Sequence, residues 1–129
     1  MKKQITCDLI VFSIGGVLYG IVELLWRKYT HWSTILTGGL CFILLYKIFH
    51  KIVGAAIWQK CIIGSCVITC VEFVVGCIVN LWAKLQVWDY SEMTGNILGQ
   101  VCIMYSCLWA VLTIPIDGLC SFIRKILPS

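Results

Sequence analysis

From Cys61 to Ala83 the chain runs for twenty-three residues that are almost all apolar, and the one charged side chain among them, Glu72, stands at the middle. At about 1.5 Å per residue such a helix is about 34 Å long, enough to cross the hydrocarbon core of a bilayer. Its small and polar residues are not scattered. Ser65, Thr69, Glu72, Gly76 and Asn80 follow one another at steps of four, three, four and four, which puts them on one face of a helix, with Cys66, Cys70 and Cys77 on the opposite side. A carboxylate at mid-bilayer depth costs at least a few kcal/mol, about 2.5 to 3.5 on insertion scales, so this face is expected to turn toward a polar partner or a wet cavity and away from lipid.

Three further apolar runs have the length of a span, and together the four are expected at about residues 5–26, 34–53, 61–83 and 97–123. The first follows Met1-Lys2-Lys3 and so imitates a signal peptide, but it is too long and ends at Glu23-Leu24-Leu25-Trp26-Arg27 without a small-x-small cleavage site. Its stripe is Ser13, Gly16, Gly20, Glu23 and Arg27. Gly16 and Gly20 have the spacing that lets membrane helices approach closely, and Glu23 and Arg27 are i,i+4 neighbours able to pair. The second span has the stripe Thr34, Gly38 and Cys41, and it reaches Val53 if Lys47 and Lys51 extend toward the headgroups. The fourth has the stripe Gly99, Cys102, Ser106, Ala110, Thr113 and Asp117, with a kink expected at Pro115 because proline lacks the backbone donor. Between spans lie a polar, aromatic turn at residues 28–33, a short connector at 54–60 carrying an interfacial Trp58, and the most polar segment of the chain at 84–96. The expectation is an all-α polytopic membrane protein, a single domain over residues 1–129, with four transmembrane helices in a bundle.

Composition agrees with that reading. Sixty per cent of the residues are hydrophobic and only 12% are charged, too little polar surface to cover a soluble globule of 129 residues. The net charge of +4 matters less than where the cations lie, and nucleic-acid binding gains no support. With the N-terminus inside, Lys2, Lys3, Lys47, Lys51, Lys60, Arg124 and Lys125 share the inner side, against Arg27, Lys28 and Lys84 on the outer; seven to three favours both termini in the cytoplasm. The nine cysteines sit singly in apolar helices with no Cys-x-x-Cys pair, and they read as reduced, membrane-embedded thiols. Val22-Glu23, His31-Trp32-Ser33 and Gly39-x-Cys41 in the first half are echoed by Val71-Glu72, Trp88-Asp89-Tyr90-Ser91 and Gly99-x-x-Cys102 in the second, the pattern of two parallel helical hairpin repeats.

Several of these residues also carry a resemblance. Gly16-x-Leu18-Tyr19, Glu23-x-x-Trp26-Arg27-x-x-Thr30-His31-Trp32, Gly38-Gly39-x-Cys41-Phe42, Glu72-Phe73 with Asn80, Trp88-Asp89-Tyr90-Ser91 and Asn96-x-x-Gly99-Gln100-Val101-Cys102 resemble the small bacterial integral membrane proteins grouped as ABC-transporter permeases of type IV, the CmpB-like family. The likeness covers nearly the whole chain. Where that family commonly has proline between the serine and the asparagine, this chain has Glu92-Met93-Thr94-Gly95, so a looser turn is expected there. The resemblance implies transport in the bacterial plasma membrane and a separate ATP-binding subunit, since the sequence holds no Gly-Lys dipeptide from which a phosphate loop of that type could be built. Four spans without a soluble domain also imply a homo-oligomer or a larger complex.

On this reading Glu72, Glu23, Asn80, Thr69 and Ser65 line a polar intramembrane path. His31, Trp32, Trp88, Asp89, Tyr90, Ser91 and Asn96 close its outer mouth, and Gly16, Gly20, Gly38, Gly76 and Gly99 serve helix packing. The bland alternatives stand beside it. Glu72 can be a hydrogen-bonded helix contact, Glu23 can pair with Arg27 or His31, and the Trp88 to Ser91 stretch can be an interfacial belt with Asp89 starting a turn. Asp117, beside Arg124 and Lys125, needs only a solvated ion pair. The runner-up function is therefore a structural or accessory subunit. An enzyme is not expected, because no nucleophile, cofactor motif or metal cluster accompanies the two glutamates, and His31 and His50 lie on opposite sides, too far apart for zinc.

Overall fold

The computed structural model describes residues 2–28 and 31–127, with Arg27 described by its backbone alone. Among the described residues it is all-helical: α1 (Lys2–Arg27), α2 (Trp32–Lys51), α3 (Ile57–Gly76) continuing as a π-helical turn (Cys77–Trp82), and α4 (Ile103–Ile126). The only β pairing described is an isolated bridge between Ile97 and Val101. Four helical stretches are long and apolar enough to cross a membrane, Lys2–Trp26, Trp32–Lys51, Ile57–Trp82 and Ile103–Ile126. The chain divides into two compact units, residues 1–55 with 115–129, and residues 56–114.

In the first unit α1 and α2 pack as a hairpin. Small residues on each helix receive aromatic rings from the other: Gly38 lies under Tyr19, Gly39 under Phe12, and Gly15 under Phe42. A Cβ at Gly38 would overlap the Cβ of Tyr19, which cannot move without the α1 backbone, so here glycine is a condition of the close approach. Leu45, Phe49 and Val11 are fully buried, as is Cys120 from the end of α4. The start of α2 is fixed by His31, whose extended backbone and ring Nδ1, accepting from the Ser33 N–H at 3.2 Å, make it the N-cap. Thr34 completes a capping box by accepting from the His31 N–H at 3.3 Å. Lys47, expected to extend toward headgroups, instead reaches Asp8 of α1 at 3.2 Å. The rest of the turn, Tyr29 and Thr30, and the side chain of Arg27, with it the expected pairing of Glu23 with Arg27, lie outside the described residues.

In the second unit the helix boundaries depart from the sequence pattern at two places. α3 begins at Ile57 rather than Cys61, because the Gln59 side chain accepts from the Ala56 N–H at 3.0 Å and caps a first turn that the pattern assigns to a connector. α4 begins at Ile103 rather than Ile97. Gly95 (φ 69°), Leu98 (φ 54°) and Gly99 (φ 74°) hold left-handed backbone, incompatible with a helix there, and Ile97 pairs with Val101 instead. Lys84 (φ 57°) and Gln86 (φ 52°) are also left-handed, so residues 83–102 form a folded segment of irregular backbone and not an extended loop. α4 runs on through Pro115, which removes the helical bond to the Val111 carbonyl, and the division into units falls at the same residue.

Candidate functional site

The polar stripe of α3 is met along its whole length by partners from α4 and from the 83–102 segment. Ser65 Oγ donates to the Ser106 carbonyl at 2.7 Å, and Thr69 Oγ1 and Ser106 Oγ lie 2.8 Å apart. One residue before Ser65, Gly64 sits against Thr113, whose hydroxyl occupies the space a Cβ would need. Higher up, Gly76 receives the Gln100 side chain and the edge of the Trp88 indole. Asn80 ends the stripe: its Oδ1 accepts from the Val87 N–H at 2.6 Å and the Trp88 N–H at 3.4 Å, and its Nδ2 donates to Gln100 Oε1 at 2.8 Å. The π-helical turn from Cys77 to Trp82 contains Asn80, and such turns often mark functional positions in helices. Cys66 and Cys70, on the far side of the helix, are exposed.

Glu72 stands at the centre of this stripe and is only 5% exposed. Its carboxylate oxygens are reached by the Tyr90 hydroxyl at 3.3 Å and by the Trp109 indole N–H at 3.4 Å. Both distances are long for bonds to a charged oxygen, which fall at about 2.5 to 2.9 Å, and both donors are neutral. Among the described residues no Lys or Arg pairs with it. Tyr90 is stacked on Tyr105, ring centres 4.8 Å apart, and Tyr105 leans on Trp109 at 6.1 Å, so the acid is bordered by a row of three aromatic rings. An acid with four lone-pair directions and two long neutral donors retains capacity for a proton or a cation.

Side chains, not ladder bonds, hold the 83–102 segment against α3. Trp88 donates its indole N–H to the Gln100 carbonyl at 3.0 Å and forms with Val79 and Val87 a small buried core. The Tyr90 N–H donates to the Gly99 carbonyl at 2.7 Å. Asn96 donates to the carbonyls of Ser91 (3.1 Å) and Met93 (2.8 Å) and accepts from the Gly99 N–H (3.0 Å), so the turn expected to be loose for want of proline is bound by an asparagine. Asp89 accepts from the Ser91 N–H at 2.9 Å; these bonds from Ser91 hold the exposed Asp89 carboxyl below the usual carboxylate range. A Cβ at Gly99 would stand 2.9 Å from Asp89 Oδ1, so its glycine serves this turn, outside any helix.

The structure therefore brings Ser65, Thr69, Glu72, Gly76, Asn80, Trp88 and Tyr90 together, with Asp89, Ser91 and Asn96 building the turn that carries Tyr90. Glu23, His31, Trp32, Gly16, Gly20 and Gly38 belong to the other unit. There Glu23 is buried and accepts from Thr34 Oγ1 at 2.6 Å, His31 is a helix cap, and Trp32 is an exposed ring beside it, 5.3 Å away centre to centre. A Cβ at Gly16 would stand 3.0 Å from the Ile35 carbonyl oxygen, whereas one at Gly20 would meet only ordinary contact with the Ile35 side chain. Sequence reasoning missed Trp109 and Tyr105, and it named Gln100 only within the stretch that carries the family resemblance, with no role at the site. Trp109 had a signal, since it lies three residues after Ser106 and four before Thr113 on the face already marked as polar. Among the described residues no group of three His, Cys, Asp or Glu side chains could hold a metal ion.

Neither a curated protein nor a solved structure matches this chain. A family model does, over residues 9–125, from within α1 to the last turn of α4, so the match takes in most of α1 and α4 and the whole of α2, α3 and the segment folded on α3. The chain belongs to the family described as "Putative ABC-transporter type IV".

Proposed function

We propose that this chain is a permease-like subunit of the bacterial plasma membrane that passes an ion or small polar solute along the polar face of α3, with Glu72 as the group that binds the moving charge. The observation that carries this is the burial of Glu72 in a membrane-length helix where, among the described residues, its only hydrogen bonds are two long ones from neutral donors. An ionisable group within a transmembrane segment marks a pathway or relay by default, because its cost is otherwise unreturned. The 83–102 segment acts as the cover of this site, since Tyr90 reaches Glu72 from it, and irregular backbone at membrane depth is tolerated where it is buried in protein or lines a cavity. Family membership supports a separate ATP-binding subunit as the source of energy and association with further copies or subunits.

A second reading has one observation in its favour. Ser65, Thr69, Gly64 and Asn80 are matched to α4 and the covering segment so fully that the stripe can serve as an adhesive between helices, as in an accessory subunit without transport of its own. Glu72→Gln separates the two, because glutamine keeps hydrogen bonds worth about 1 kcal/mol but cannot ionise. In cells lacking the native copy, the variant is expected to accumulate to normal levels, melt in detergent close to the parent, and fail to restore growth or uptake. Glu72→Leu is the control, since it removes the acid together with its desolvation cost. Gln and Leu variants that were both stable and active would make the centre of α3 architecture.

A further inference from the structure

The first unit contains two buried polar atoms with no hydrogen-bond partner among the described residues, the Tyr46 hydroxyl and Nη1 of Arg124. Tyr46 is 7% exposed, and the guanidinium carbon of Arg124 stands over its ring, 6.0 Å from the centre. The other arm of the guanidinium is fixed, with Nη2 donating to Ser121 Oγ at 3.0 Å. Buried polar groups are nearly always paired, and a guanidinium nitrogen can only donate, so whatever completes this pair must bring acceptor oxygens. A tyrosine hydroxyl donates equally well to the same kind of group. Two donors, one of them cationic, point to an oxyanion.

The surroundings favour negative charge. The last turn of α2 carries His50 and Lys51 and the last turn of α4 carries Arg124 and Lys125, with no acid in either. These cations more than offset the carbonyl ends of the two helices. Asp8 of the same unit is already engaged by Lys47 at 3.2 Å and Gln4 at 2.9 Å, and Asp117 stands two turns before Arg124 on α4, about 10 Å along the axis. Tyr46 lies five residues before the end of α2, about 8 Å along the axis, and Arg124 two residues before the end of α4, which is the depth of lipid headgroups at the end of a span. Phe122 and Ile126, both exposed on α4, give acyl chains an apolar flank beside it.

We infer that Tyr46 and Arg124 clasp the phosphate of an anionic phospholipid headgroup. A basic pocket between helix ends is the form such sites take in membrane proteins. The site is independent of Glu72 and of any transport by this chain. The test compares thermal unfolding of the purified protein in nanodiscs of phosphatidylcholine alone and of phosphatidylcholine mixed with phosphatidylglycerol, with lipid adducts counted by native mass spectrometry. Phosphatidylglycerol is expected to raise the midpoint of the parent by several degrees. Tyr46→Phe and Arg124→Gln should each lose most of that increment and the retained adduct, while Lys125→Gln, a cation outside the clasp, keeps both. Tyr46→Phe carries the test if Arg124→Gln does not fold, because phenylalanine fills the same space. If the hydroxyl has no lipid partner, removing it raises the midpoint equally in both compositions, and the inference fails. It also fails if Lys125→Gln loses the increment to the same extent, which would mean general attraction, or if inorganic phosphate added in detergent reproduces a Tyr46-dependent increment that phosphatidylglycerol does not give.

Discussion

At the scale of single residues, Asn80 does for the 83–102 segment what a strand would do elsewhere. One amide side chain satisfies the Val87 N–H, approaches the Trp88 N–H and holds Gln100, which in turn donates to the Leu98 carbonyl at 2.9 Å. Replacing it by leucine leaves these buried groups without partners, at about 1 to 3 kcal/mol for an unsatisfied donor or acceptor. Asn80→Leu is therefore expected to lower the melting temperature and to expose Trp88, read as a red shift of its fluorescence. An unchanged spectrum would mean that the segment holds itself in place. Asn80 was legible in the sequence as the last polar residue of a stripe, but its role was not, because the stripe says which side of α3 is polar and not what lies against it. The same limit applied to Trp109. Trp is counted as apolar in any periodicity argument, and its one N–H enters only when a carboxylate is placed opposite.

At the scale of elements, the four spans were legible from run length and the polar stripes from their spacing, while two boundaries were not. The start of α4 moved by six residues because Leu98, an ordinary helix former, takes a left-handed backbone between Asn96 and Gly99 that no local preference announces. The small-residue pattern of α1 was legible only in part. Ser13, one of its expected members, is exposed, whereas Gly15, outside the stripe, lies under Phe42. This yields a paired prediction within the α1–α2 hairpin. Gly38→Ala must push Tyr19 and its helix away and should cost about 1 to 3 kcal/mol, the range for inserting a methyl into a packed contact. Gly20→Ala meets only ordinary contact, 3.4 Å from the Ile35 side chain, and gains about 0.5 to 1 kcal/mol from the better helix former. Thermal unfolding in one detergent checks both signs at once, and equal effects would mean that the hairpin is looser than its contacts indicate.

At the scale of the whole molecule the remaining question is which side of the membrane each connection faces. Four spans put the connection between α2 and α3 on the same side as both chain ends, and the segment from 83 to 102 on the other. The cations decide which side is which, because lysine and arginine near short connections are retained in the cytoplasm. Lys2, Lys3, Lys51, Arg124 and Lys125 mark one side, and Arg27, Lys28 and Lys84 the other. Lys60 sits in the first turn of α3 on the richer side and is buried; Lys47, paired with Asp8, is discounted, and the bias survives without it. A reporter inserted at Gly54, which has nothing within 4 Å of where a side chain would begin, should read cytoplasmic, and one at the exposed Glu92 should read external. The reverse result would keep the four spans but place Tyr46 and Arg124 in the outer leaflet and the cover of Glu72 on the cytoplasmic side. An ATP-binding subunit would then meet the 83–102 segment directly. Matching signals at the two positions would be more damaging, since α3, the helix between them, would then not cross the membrane.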